Sequence, residues 1–364
     1  MNAFLKTAGW AGAKQIRLPG DASTRGYVRL VQDGHSAMLL DQPQTAETPA
    51  APVHASEAER RALGYNAMAR LAGADTARFV AVANFLRARG LSAPQIYADD
   101  PALGFVLSED LGESLYADVL TTGASETELY GTAIDALAKL HAETAMATIS
   151  NNIPLHAYDD VALIAETDLI TEWFLPHALG RPACMDEIAE HRDLWRAALR
   201  PVLESPAFFV HRDYHAQNLL WLPSRAGIAK VGIIDFQDAV AGARSYDLIS
   251  LIEDARRDVP PALAESMITR YLETMRVQGT PLNEDTARAE MAVMAAQRNV
   301  KIAGIFARLA KRDNKPRYLA YLPRVWNNLN RDLEHPALAS LKTWYDRIIP
   351  IDARGAALHK GASV

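Results

Sequence analysis

The sequence is short of cysteine, of cationic excess and of long apolar runs. Cys184 is the one thiol in 364 residues, so no disulfide forms within the chain and a reducing, cytoplasmic setting is expected. The Cys184 side chain reads as a small apolar filler. Asp and Glu outnumber Lys and Arg by 44 to 38, a net charge of -6, which argues against a general nucleic-acid binder. No segment approaches the ~18 consecutive apolar residues of a membrane span. The N-terminus carries Lys6 among scattered apolar positions and lacks the continuous apolar core of a signal peptide. No fixed-period repeat is present. What remains is a 49% hydrophobic, 23% charged chain, suited to two lobes rather than one small core.

Hydrophobic periodicity divides the chain. Residues 26–31 (GYVRLV) and 36–40 (SAMLL) alternate as strands around a turn at Asp33-Gly34. Residues 41–55, rich in Pro, Ala, Thr and Gln, read as a loop, and residues 57–70 as a charged helix. Residues 76–89 place Phe79, Val82, Phe85 and Leu86 on one helical face before Gly90. Two further strands are expected at 94–97 and 105–108. Beyond about residue 111 the pattern turns helical, with helices expected at 126–143, from 168 to 179, and at 194–203, 246–256, 262–276 and 286–311. His141, on the apolar face of the first of these, reads as a core histidine.

Chemistry concentrates in two motifs. Residues 211–218 read HRDYHAQN, and residues 231–238 read VGIIDFQD. Asp213 and Asn218 have the spacing of the kinase catalytic loop H-R-D-x-x-x-x-N, and Asp235 ends a strand-like run where kinases carry D-F-G. Phosphoryl transfer needs these residue types. One carboxylate accepts or orients the proton of the attacking hydroxyl, while an amide oxygen and a second carboxylate hold Mg²⁺ on the phosphates. A second H-R-D, His191 to Asp193, has no Asn five positions beyond its Asp.

With DFQDAVAGARSYDLISL following, and neither A-P-E nor an activation segment, these motifs resemble the aminoglycoside phosphotransferase family, the small-molecule branch of the kinase-like fold. The blocks GDASTRGYVRL (20–30), MLLDQP (38–43), SEDLG (108–112), HRDYHAQNLLWLP (211–223), DFQDAVAG (235–242) and RNVKIAGIFARLAKRDNKPRYLAYLPRV (298–325) are similar to its bacterial N-acetylmuramate/N-acetylglucosamine anomeric kinases of cell-wall recycling. The resemblance implies an α+β, bilobal kinase-like fold. Residues 1–111 would form a small β-rich nucleotide lobe, 112–350 a larger helical lobe, and 351–364 a tail without fixed structure. It implies Asp213 as catalytic base, Asn218 and Asp235 as Mg²⁺ ligands, and His211 and Asp247 as supports of the loop. ATP would be the cosubstrate, contacted by Ser23, Thr24 and Arg25 of the loop 20–26 and by the 108–111 hinge, Glu109 and Leu111 included. No nucleic acid, membrane or obligate protein partner is implied beside the amino sugar and ATP.

Two departures stand out. The phosphate loop lacks G-x-G-x-x-G, and the strand that should end V-A-I-K reads A-M-L-L-D, without lysine. Either Arg25 or Arg29 would then carry the missing phosphate charge, Arg25 being the favoured one, or the lobe binds nucleotide without that ion pair; both arginines also suit a surface ion pair. On the substrate side, Arg298 shares a stripe with Met291, Met294, Ile302, Ile305 and Leu309. An inward cation needs a partner, either a carboxylate such as Asp254 or the substrate. Asp254 and Glu172 are the companion candidates for substrate hydroxyls, with Glu253 beside them. The rival acceptors are an aminoglycoside, choline or homoserine, and the missing lysine leaves room for a nucleotide-binding pseudokinase.

Overall fold

The computed structural model describes residues 1–19, 25–43 and 49–355. Ser23 and Thr24, and residues 356–364 of the expected tail, lie outside the described residues. The chain divides into two compact units, Met1–His156 with His211–Ala241, and Ala157–Val210 with Gly242 onward.

The first unit is built on an antiparallel five-stranded sheet. Its strands are β1 (Lys14–Arg17), β2 (Gly26–Gln32), β3 (His35–Asp41), β4 (Ile96–Asp100) and β5 (Phe105–Glu109), in the order β1-β2-β3-β5-β4. The β2–β3 turn is the expected Asp33-Gly34 pair, with φ of 52° and 78°, the left-handed geometry of a tight hairpin. Alternation in β2 and β3 sends Val28, Leu30, Ala37 and Leu39 to one face. There they meet Phe105, Leu107 and Leu5, the last from an N-terminal helix, α1 (Asn2–Thr7). Neither α1 nor β1 is signalled by a strong periodicity.

The helix expected over 57–70 is two helices, α2 (Glu57–Leu63) and α3 (Tyr65–Met68), broken where Gly64 takes φ 101°, a value that only glycine adopts readily. A Ser56–Glu59 capping box opens α2. Then follow α4 (Thr76–Ala88), α5 (Tyr116–Thr121) and α6 (Glu126–Leu140). His141, directly after α6, is fully buried.

In the second unit, α7 (Asp160–Leu169) begins well before the helix start expected at 168, because Asp159 caps it through the Ala162 N–H at 2.9 Å. A π-helical turn, Ile170–Phe174, leads into α8 (Leu175–Leu179). Pro176 has no N–H to return to the helix ladder, and the turn before it widens. The helix α9 (Met185–Leu203) contains the second H-R-D within its helical turns, with His191 fully buried, not in a loop. Cys184 corrects its expectation: it is exposed at the start of α9, where its N–H bonds Glu187 at 2.8 Å, and fills no core space.

Helices α10 (Ser245–Ile252), α11 (Pro261–Val277), α12 (Glu284–Lys311), α13 (Leu322–Asp332) and α14 (Ala339–Ile348) complete the unit. Every residue of α12 from Val293 to Lys301 is buried, so its middle is enclosed on all sides instead of presenting a single apolar stripe. The helix packs on α7, the π-helical turn, α10 and α13. The tail expected to lose structure at 351 instead starts with a helical turn, Ile351–Ala353. Arg354 fastens it, donating to the Ile349 carbonyl at 2.9 Å and pairing with Asp346 at 2.8 Å.

Gly304 is where α12 meets the end of α7. A Cβ there would lie 2.4 Å from the Leu169 Cβ and 2.5–2.6 Å from its backbone. Helix backbones, unlike side-chain ends, cannot turn aside. Gly304→Ala should therefore destabilise the fold by about 3 kcal/mol, seen as a lowered urea midpoint with an unchanged slope; a midpoint equal to that of the parent would refute the close approach.

Candidate active site

A short hairpin explains why Asn218 and Asp235 need their spacing. Strand Leu219–Trp221 pairs antiparallel with Val231–Ile233, in the register Leu219 opposite Ile233. The residues just outside it, Asn218 and Ile234, are joined by Ile234 N–H to Asn218 carbonyl at 3.1 Å. Asp235 follows at once, and Asn218 Nδ2 reaches its Oδ2 at 3.5 Å. A side chain at Gly232 would meet Leu220 at 3.0 Å, Leu222 at 3.2 Å and Leu111 at 3.4 Å. Glycine thus lets Leu111, one of the hinge residues, sit on the hairpin.

The loop before the hairpin is held from several directions. His211 donates from Nε2 to the Ile234 carbonyl at 3.0 Å and accepts the Asp213 N–H on Nδ1 at 3.2 Å. That pattern assigns the neutral tautomer with the proton on Nε2. Asn218 Nδ2 donates to the Asp213 carbonyl at 3.0 Å, and buried Tyr214 donates to the Ala133 carbonyl of α6 at 2.9 Å. Arg212, fully buried at φ 78°, donates to the Ala69 carbonyl at 2.9 Å. Asp235 also has a left-handed backbone, φ 60°. Two non-glycine residues in that region within one site is a local cost that the surrounding bonds sustain.

Around Asp235 lies a group of charges. Arg25 donates from Nη1 to Asp235 Oδ1 at 3.3 Å and pairs with Asp238 Oδ2 at 3.7 Å. Gln237 Nε2 bridges the same two carboxylates at 3.0 and 3.2 Å. Asp238 also accepts the Ala72 N–H at 2.6 Å. Burial by itself would raise the Asp238 carboxyl, but Arg25 and Arg212, together with that N–H, hold it below the usual value. The protein packed around Asp235 raises its carboxyl, Arg25 opposes the shift and Asp213 adds to it. A cation beside Asp235 would relieve that strain. The available donors, an amide oxygen and a carboxylate, are the hard oxygens that Mg²⁺ takes together with phosphates, so Asn218 and Asp235 fit the ion. No group of three His, Cys, Asp or Glu able to hold a metal alone occurs among the described residues.

Of the two arginines offered for the missing lysine, Arg29 is committed elsewhere. It pairs with Asp110 at 2.6 Å and with Glu113. Arg25 is the one at Asp235. Glu109, expected at the nucleotide, has its carboxylate paired with Arg225 at 2.5 Å and Arg87 at 3.5 Å, and its N–H on the Gln95 carbonyl at 2.7 Å. Asp238 and Gln237 were not among the residues singled out from the sequence. Their signal was the second carboxylate of DFQD, three residues beyond the first.

The substrate candidates and Asp247 lie in the second unit. Asp247 is fully buried in the first turn of α10. Glu172 is exposed in the π-helical turn. Arg298 is 4% exposed and donates from Nη1 to the Glu253 carbonyl at 3.2 Å. The ion pair with Asp254 offered as its structural explanation is not formed. Asp254, 2% exposed, accepts the Arg256 N–H on Oδ1 at 2.8 Å, and its Oδ2 has no partner.

The model of the phosphotransferase enzyme family matches residues 16–282. The chain is 43% identical to the N-acetylmuramate/N-acetylglucosamine kinase of Caulobacter vibrioides, over 97% of this chain and 96% of that protein. It is 33% identical to the kinase of the same name from Pseudomonas aeruginosa, over 90% and 87%. Among solved structures, a choline/ethanolamine kinase family protein from Mesorhizobium loti matches with a TM-score of 0.55 at 17% identity, covering 94% of this chain and 98% of that one. ADP-bound aminoglycoside phosphotransferase APH(2'')-Ib matches with a TM-score of 0.52 at 13% identity, over 93% and 97%. At such identities these two speak for a shared kinase-like fold. With sequence identity running almost end to end and the loop and hairpin in place, this chain belongs to the phosphotransferase enzyme family.

Proposed function

We propose that the protein transfers the γ-phosphoryl group of ATP to the anomeric hydroxyl of N-acetylmuramate and N-acetylglucosamine. The sugar 1-phosphates would feed UDP-sugar synthesis and peptidoglycan recycling. The observation that carries the reading is the 43% identity to a kinase of that name over 97% of the chain. ATP as cosubstrate assigns the reaction to the cytoplasm. No described helix is long and apolar enough to cross a membrane.

In this reading Asp213 orients the sugar hydroxyl and takes up its proton as the oxygen attacks in line. Asn218 and Asp235 are the residues that would hold Mg²⁺, which offsets charge on the phosphoryl group. His211 fixes the Asp213 backbone, and Asp247 supports the loop. Ser23 and Thr24 cover the phosphates, and Glu109 and Leu111 flank the adenine. Arg25 supplies the cation that the strand lacks, and its presence at Asp235 favours turnover over a silent nucleotide-binding role. Arg298, Asp254 and Glu172 contact the sugar.

Incubation with ATP, Mg²⁺ and a panel of amino sugars, read by phosphorus NMR, tests the acceptor and the position. Phosphate on carbon 1 of the two N-acetyl sugars is expected; phosphate on kanamycin and on neither N-acetyl sugar would sink the reading. The role of Arg25 gives a separate expectation. Arg25→Met should raise the KM for ATP about tenfold or more, the loss of one charge-assisted contact. Arg29→Met, which disturbs the contacts with Asp110, Glu113 and the Gly112 carbonyl, should change it far less. Equal effects in a steady-state titration would remove Arg25 from the phosphate site.

A further inference from the structure

Several cations of the second unit, buried or half-buried, lie on carboxylates. Lys301 lies on Glu166 at 3.0 Å, Arg354 on Asp346 at 2.8 Å, and Arg192, on α9, on Asp168 at 2.9 Å. Arg298 forms no ion pair among the described residues; its guanidinium has one bond, to the backbone carbonyl of Glu253. The residue next to that carbonyl is Asp254, whose Oδ2 is buried without a partner. The groups nearby are already committed. Glu253 accepts from Asn299 at 2.9 Å and from Arg331 at 2.8 Å. Arg324, whose charge also reaches Asp254, pairs with Asp258 through Nη2 at 2.7 Å and donates to the Ala255 carbonyl at 3.2 Å. A buried cation and a buried acceptor, one residue apart through Glu253, both keep unfilled hydrogen-bonding capacity without meeting each other.

A carboxylate oxygen buried without a partner is costly, and a guanidinium held by a single backbone carbonyl keeps donors to spare. A ligand bearing an anion and a hydroxyl donor would satisfy both. We infer that Arg298 and Asp254 form a bipartite sugar-recognition site, in which Arg298 binds the lactyl carboxylate of N-acetylmuramate and Asp254 accepts a ring hydroxyl. The inference rests on the amino-sugar kinase reading and adds a direction to it. N-acetylglucosamine has no carboxylate, so the chain favours N-acetylmuramate, and Arg298 is the residue that sets the preference. An arginine suits the task because its planar fork meets a carboxylate with two parallel bonds.

The test compares N-acetylmuramate, its lactyl carboxamide and N-acetylglucosamine as phosphoryl acceptors. It uses the parent protein and the variants Arg298→Met and Asp254→Asn, with calorimetric titration of each sugar without nucleotide as a second readout. For the parent protein, the KM of N-acetylmuramate should lie about tenfold or more below that of the carboxamide. Arg298→Met should raise the KM for N-acetylmuramate about ten- to hundredfold and bring it level with the carboxamide, with a much smaller rise for N-acetylglucosamine. Asp254→Asn should weaken all three sugars and leave their ratio unchanged. Equal parent KM values for the acid and its carboxamide would overturn the inference even if the variants failed to fold, and so would an Arg298→Met effect of equal size on all three. If the parent phosphorylates none of them, the kinase reading itself falls, and this inference with it.

Discussion

Asp213→Asn is expected to lower kcat about 10²- to 10⁴-fold, the range that a positioned general base contributes, with ADP affinity close to that of the parent. The two effects separate because the backbone of Asp213 is held without its carboxylate. Its N–H bonds His211 and its carbonyl accepts from Asn218. The substitution therefore removes the proton acceptor and leaves the loop standing. A coupled turnover assay and a fluorescent ADP titration check the pair. Turnover equal to that of the parent would remove Asp213 from the chemistry; a matching loss of ADP affinity would make it a scaffold residue.

Lys301→Met should destabilise the second unit by about 3–5 kcal/mol, the usual result of breaking a buried ion pair from one side. Glu166 is fully buried and receives Lys301 Nζ at 3.0 Å, Gln297 Nε2 at 3.0 Å and the Tyr158 hydroxyl. Lys301 also donates to the Tyr246 hydroxyl at 3.1 Å. Without the ammonium group the buried carboxylate loses the cation at 3.0 Å and is left beside the neutral Gln297 and Tyr158 donors. Adding Glu166→Gln to Lys301→Met should recover a large part of the loss, because the charge has gone as well. Urea unfolding of the parent, the single and the double variants reads this directly. A double variant no better than the single would mean that packing around the Lys301 stem, not charge, sets the cost.

Much of this was legible in the chain, for identifiable reasons. The catalytic loop and DFQD depend on residue identity at fixed local spacing, which survives in one dimension. The β2–β3 hairpin was legible because Asp33-Gly34 is a turn with its own chemistry, and α4, α6, α11 and α12 because their apolar residues recur at helical spacing. Boundaries were less secure where a single residue decides them. Gly64 splits α2 from α3, and Asp159 starts α7 earlier than its apolar pattern suggests. Cys184 reads as a core residue by type but sits exposed at a helix start, since a cap position is chosen by backbone geometry rather than by apolarity.

Pairing across distance was not legible. The sequence favours Arg25 over Arg29 for the phosphate but gives neither its partners; the two lie four positions apart, one before β2 and one within it. Only the folded chain gives Asp110 and Glu113 to Arg29 and leaves Arg25 to Asp235 and Asp238. Likewise, Arg298 and Asp254 have the charges of an ion pair and do not form one. The sequence by itself determined the family, the kind of chemistry and the order of the carboxylates, because these reside in residue types at short, fixed intervals. Tertiary structure decided which charges cancel and which stay available, because that depends on distances of a few ångströms between residues far apart in the chain, and electrostatic energies in a low-dielectric interior change steeply over such distances.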